Sequence, residues 1–133
     1  MVKIGELAKK TGLSVDAIRF YEKHGLISKA GRSESGYREF SNETANTLEF
    51  IVHCRSLDIP LPEIKKLLRV RSGSAKSCRE ANHVIDEQIA NLRERIQKLK
   101  SLEKALSEIR KVCDQELDPM DCKIIKSLQN ARS

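Results

Sequence analysis

The 133-residue sequence holds four cysteines, Cys54, Cys78, Cys113 and Cys122. Its start, Met1-Val2-Lys3-Ile4, has no apolar signal core, and no stretch reaches membrane-spanning length, which points to a cytoplasmic protein with no membrane partner. In that reducing compartment such thiols read as metal ligands, a redox switch or buried apolar residues rather than structural disulfides. Cys113 and Cys122 bracket the segment Asp114-Gln115-Glu116-Leu117-Asp118-Pro119-Met120-Asp121, so two thiolates could close on a soft ion across a turn. Such a pair arises easily by chance, and a third donor matters. Cys78 supplies one, at the first turn of a capped helix whose unpaired amide dipoles favour a thiolate. Three thiolates select soft divalent ions, with Cd, Hg and Pb ahead of Mg or Ca. Cys54 lies within an apolar helix and reads as a small core residue. His83, about one helical turn beyond Cys78, and the acids Asp114, Glu116, Asp118 and Asp121 could add donors, although solvated side chains explain them more simply. His24 and His53 have no ligand pattern around them.

Enzyme chemistry has little support. There is no phosphate loop, dinucleotide fingerprint, paired-His zinc-protease motif or nucleophile elbow. Aromatic residues are only 4% and Trp is absent, which leaves little mass for a deep small-molecule pocket. Lys and Arg outnumber Asp and Glu by 25 to 19, a net charge of +6 that favours a polyanionic partner.

The elements that must carry these residues follow from spacing. Ile4, Leu7 and Ala8 recur at helical intervals, and Thr11-Gly12-Leu13 forms a turn. Ser14 caps a second helix that runs to about His24, with Asp16 in its first turn, and Gly25 stands where a left-handed residue ends it. From Ile27 to Phe40 the glycines, serines and lack of helical period predict a short β-hairpin or loop anchored by Tyr37 and Phe40. Ser41 caps a third helix through Ala45, Leu48, Ile51 and Val52, and Pro62 with Glu63 opens a fourth. The polar run Arg69-Val70-Arg71-Ser72-Gly73-Ser74-Ala75-Lys76 reads as a linker. Ser77-x-x-Glu80 then matches a capping box.

Beyond it runs an apolar stripe of Ile85, Ile89, Leu92, Ile96, Leu99, Leu102, Leu106 and Ile109, without Pro or Gly. One helix over this stretch is about 50 Å long. It could pack within a monomer, but the remaining chain is too small to cover the seam, which favours a homodimeric coiled coil. Cys78 and Cys113 of one chain then stand at opposite ends of the helix and cannot share an ion. Antiparallel pairing brings Cys78 of one protomer towards Cys113 and Cys122 of the other, whereas parallel pairing separates them.

The first two helices form a helix-turn-helix pattern. Ser14, Val15, Asp16 and Arg19 occupy the leading face of the second helix, where base edges come within reach. Arg19 can donate to guanine or phosphate, and Tyr21, Tyr37 and Arg38 can reach phosphates. An ordinary solvated Arg19 and a core-edge Tyr21 are the plainer alternatives.

The string IGELAKKTGLSVDAIRFYEKHGLI, with the triplet Gly36-Tyr37-Arg38, closely resembles the N-terminal domain of the MerR family of bacterial transcription regulators. The resemblance covers essentially the whole chain. It implies a mainly α fold: an N-terminal winged helix-turn-helix with a small β wing, and a long C-terminal helix forming an antiparallel coiled-coil dimer. The expected division is a DNA-binding domain over 1–70, a linker over 71–77, a dimerisation helix over 78–112, and a metal-binding loop with a short C-terminal helix over 113–133. The resemblance also implies a homodimer on double-stranded promoter DNA, working with bacterial RNA polymerase. Effector binding is expected to distort the promoter and bring two badly spaced polymerase elements into register. The three cysteines Cys78, Cys113 and Cys122 fall where divalent-metal sensors of the family carry theirs. His53-Cys54-Arg55-Ser56-Leu57-Asp58 and Ile85-Asp86-Glu87 look most like the cadmium/lead-responsive branch, with mercury or zinc as alternatives. A thiol redox-sensing regulator on the same DNA-binding domain is the other reading.

Overall fold

The computed structural model describes residues 1–32, 36, 38–113 and 115–130. The order of elements is β1 (Val2–Lys3), α1 (Ile4–Thr11), α2 (Val15–Lys23), β2 (Gly31–Arg32), β3 (Arg38–Phe40), α3 (Asn42–Ser56), α4 (Leu61–Arg71), α5 (Arg79–Lys111), a 3-10 turn (Pro119–Asp121) and α6 (Lys123–Gln129). The fold is mainly helical, with an N-terminal helix-turn-helix, a small β wing and a long C-terminal helix. Contacts divide the chain into two compact units, the first Met1–Asp86 and the second beginning at Glu87.

Local signals set the helix limits in the first unit. Gly12, at φ 75°, ends α1 with its amide on the Ala8 carbonyl. Ser14 then starts α2, its hydroxyl accepting from the Ala17 amide at 3.0 Å. At the far end Gly25 adopts φ 77°, a conformation costly for any residue with a Cβ. That turn lets the Leu26 amide reach the Tyr21 carbonyl (2.9 Å) and the Gly25 amide the Glu22 carbonyl (3.2 Å), a Schellman closure. Ser41 caps α3 by accepting from the Thr44 amide. The end of α3 has the same two-bond closure around Asp58, at φ 59°. There the Arg55 guanidinium donates to the Ile59 carbonyl.

The core of this unit includes Leu7 from α1, Ile18 from α2, Phe40 from β3, Leu48 and Ile51 from α3, Ile59 from the loop that follows, and Ile64 from α4. Each is almost fully removed from solvent, which is worth roughly 1.5–3 kcal/mol per side chain. Val84 of α5 is also buried, and Ala81 packs against the same cluster, so the opening turns of α5 complete this core. The compact unit therefore extends past 71–77 to Asp86.

Three local expectations are revised. The hairpin gains a third strand, because β1 pairs antiparallel with β3 (Val2 opposite Phe40), giving the order β1-β3-β2. Two residues are too short to show a β period. Next, α4 continues through Arg71, so Arg69 to Arg71 are helical rather than linker. Arg71 donates to Glu43 and Thr47, each at 3.2 Å, and lies over the Phe50 ring. Finally, α5 begins at Arg79, and the Ser77 hydroxyl accepts from the Arg79 amide two positions on. That is one residue short of the amide a capping box requires.

In the second unit, α5 carries its stripe largely uncovered. Ile89, Ile96, Leu99, Leu102 and Leu106 are all exposed. The helix ends with the Val112 amide on Ile109, and Arg110 donates to the Cys113 carbonyl at 2.8 Å. Cys122 follows the 3-10 turn, and its carbonyl accepts from the Lys126 amide in α6.

Candidate nucleic-acid interface and metal centre

Helix α2 separates two kinds of residue. Ile18, Tyr21 and Glu22 are buried on one side, while Ser14, Asp16 and Arg19 are exposed and Val15 is half-buried. Val15 and Arg19 are four apart and Asp16 and Arg19 three apart, so the leading residues share one surface strip of the helix. Arg19 is a flexible cation with five donors, suited to a guanine edge or a phosphate. Val15, Asp16 and Arg19 thus share one strip of α2, and Ser14 caps the start of the helix. Tyr21 belongs to the core, 8% exposed, and its ring packs edge-to-face with Phe20 at 5.8 Å between centroids. Phe20 is itself half-exposed and packs on His24 at 4.2 Å between centroids.

In the wing, Gly36 is exposed at φ 85°. Arg38 opens β3, where its backbone pairs with Arg32 of β2. Tyr37 lies outside the described residues. One residue escaped the sequence reading: Glu22, buried in α2, accepts from the Ala30 amide at 2.7 Å. Its signal was electrostatic. A carboxylate in the last turn of a helix faces the negative end of the dipole and needs a donor elsewhere.

All four thiols are free. Cys78 is exposed immediately before α5, and its carbonyl accepts from the Asn82 amide at 3.0 Å. Cys113 and Cys122 are part-buried, and the Cys113 thiol donates to the Gln115 carbonyl at 3.2 Å. Cys54 is buried in α3, and loss of solvent pushes its thiol pKa above the ordinary value, partly offset by a backbone hydrogen bond. That environment suits a core residue rather than a ligand. Among the described residues, no three His, Cys, Asp or Glu side chains of one chain converge on a metal position. Asp114 lies outside the described residues.

Residues 2–70 match the family of MerR HTH family regulatory proteins, and residues 45–109 match the MerR DNA-binding region. The chain belongs to the MerR family. The HTH-type transcriptional regulator ZntR homolog of Haemophilus influenzae is 41% identical over 120 residues, covering 90% of this chain and 89% of the relative. The mercuric resistance operon regulatory protein of Bacillus cereus is 36% identical over 126 residues, covering 95% and 96%. The crystal structure of the transcription regulator PbrR691 from Ralstonia metallidurans CH34, in complex with lead(II), superposes with a TM-score of 0.87 at 38% identity. It covers 96% of this chain and 99% of that one. This MerR-family chain is thus a DNA-binding transcription regulator and not an enzyme.

Proposed function

We propose that this protein is a homodimeric regulator that senses a soft divalent metal through Cys78, Cys113 and Cys122 and responds by distorting promoter DNA. The observation that carries the reading is the 33-residue α5, with an uncovered apolar stripe and a free cysteine flanking each end. Antiparallel pairing of two such helices buries both stripes and brings Cys78 of one protomer towards Cys113 and Cys122 of the other. Each dimer then holds two equivalent three-thiolate sites. The donor set fits the group: three thiols outside disulfides and reachable from solvent, suited to soft ions. When bound, the ion supplies a crosslink between protomers.

The chain's own residues do the rest. Ser14, Val15, Asp16 and Arg19 meet base edges and phosphates in the major groove, and Gly36, Tyr37 and Arg38 of the wing meet the flanking backbone. Tyr21, within the core, supports the helix that carries these contacts. Metal-loaded dimers favour the distorted promoter, which RNA polymerase then engages. Residues 1–70 bind DNA, 78–112 pair, and 113–133 complete the site. Cadmium or lead is the preferred ion. The lead-bound relative and the three-thiolate set support it, and mercury and zinc are the alternatives.

The test is subunit complementation. Neither the Cys78→Ser nor the Cys113→Ser homodimer should show thiolate charge-transfer absorption at wild-type strength on titration with Cd or Pb. Mixed dimers should regain one intact site. Failure of the mixture to regain it would falsify the shared site. Promoter transcription measured against Cd, Pb, Hg and Zn ranks the ions.

A further inference from the structure

Among the described residues, Glu22 is the buried charged side chain of the first unit, 9% exposed. Its place is unfavourable twice over. A carboxylate removed from water loses solvation, and in the last turn of α2 it also faces the negative end of the helix dipole. A charge-assisted hydrogen bond offsets this, since the Ala30 amide donates to Glu22 Oε2 at 2.7 Å.

Ala30 directly precedes β2, which is two residues long and forms one edge of the sheet, pairing with β3 among the described residues. Between α2 and β2, Leu26 and Ile27 are buried, and Ser28 and Lys29 are exposed. The Glu22 carboxylate therefore joins the helix bearing Arg19 to the residue from which the wing departs. Glu22 itself is too buried to meet DNA.

We propose that Glu22 is a positioning residue for DNA binding, holding the wing at a fixed offset from α2 so that both engage one duplex. Phosphate contacts set orientation on the helix, and hydrogen bonds fail once donors are displaced or tilted. A wing freed from α2 loses its phosphates while Arg19 keeps its own contact. The proposal rests on the reading that the wing touches the DNA backbone.

Glu22→Ala removes the acceptor, Glu22→Gln keeps an acceptor of the same reach, and Arg38→Ala tests the wing alone. Promoter affinity of the full-length protein is measured across a salt series for each. Glu22→Ala should bind about tenfold more weakly at low salt. Its plot of log affinity against log salt should be shallower by about one for each wing phosphate lost. Glu22→Gln should recover most of both effects, and a purely structural role would not change the slope. If Arg38→Ala flattens the slope but Glu22→Ala does not, the tether is wrong and the wing contact stands. If Arg38→Ala leaves the slope unchanged, the wing reading fails and the proposal with it. Should Glu22→Ala not fold, Glu22→Asp, one methylene shorter, decides: a flattened slope supports the tether and a wild-type slope overturns it.

Discussion

The two units solve burial in opposite ways. Every buried residue of the apolar cluster lies between Leu7 and Val84, in the unit that ends at Asp86. From Glu87 onward no described residue is buried, although the stripe on α5 is as apolar as a core helix face. The first unit closes on itself with short elements, caps and a shared centre. The second is mostly one helix, and a single helix has nothing to pack against. Helices in proteins draw most of their stability from packing an apolar face, so the seam on α5 is the surface on which the proposed dimer depends.

The largest effect should come from putting charge on that seam. Leu99 and Leu106 are 64% and 65% exposed in the single chain. Leu99→Glu with Leu106→Glu should convert dimer to monomer and weaken promoter binding by about a hundredfold or more, because two linked half-site contacts become separate events. Helicity and melting of the first unit should persist. Sedimentation and fluorescence anisotropy check this, and a variant that stays dimeric places the interface elsewhere.

Truncation within the other unit sharpens the contrast. Leu48 is fully buried, and Leu48→Ala should lower unfolding free energy by about 3 kcal/mol through lost transfer and a residual cavity. Ile125→Ala in α6, where the side chain is 49% exposed, should cost under about 0.5 kcal/mol. Denaturant melts of both variants give the comparison directly, and equal losses would dissolve it.

A smaller effect is expected at the start of α2. Ser14→Ala removes the acceptor for the Ala17 amide and should cost about 1 kcal/mol, whereas Ser14→Gly should cost only about a few tenths. Thermal melts in the absence of DNA isolate this from any role of Ser14 at bases.

These sites also mark what the sequence made legible. Ser14, Ser41, Gly12 and Gly25 announce helix limits because capping and left-handed turns demand particular residue types locally. The heptad-like spacing located α5 almost to its ends. Long-range pairings left no such trace. The Val2–Lys3 strand pairs with Phe40 and Glu39 far along the chain, and Arg71, in the last turn of α4, donates to Glu43 and Thr47 of another helix. Glu22 offered only an electrostatic oddity, and its meaning depends on Ala30 eight residues away. The thiol trio was legible by type, whereas the proposed shared site needs a second chain, which one sequence names only through the seam.

The smallest effect distinguishes the thiols. Cys54 is buried with its pKa raised by desolvation, whereas Cys78 is exposed. The folded protein therefore holds the Cys54 proton more tightly than the unfolded chain does. The resulting stability is fully present below the ordinary thiol pKa and is lost as pH rises from there through the raised folded value. Near neutral pH the melting midpoint should not respond to this group, and only alkaline melts should show the decline. Cys54→Val, close in volume and unable to ionise, should remove that part of the alkaline slope. Alkylation gives an independent reading, because the thiolate is the reacting species. In metal-free protein, iodoacetamide should modify Cys78 readily and Cys54 only when the first unit unfolds. Equal labelling of both at neutral pH would mean that α3 opens far more often than its buried face allows.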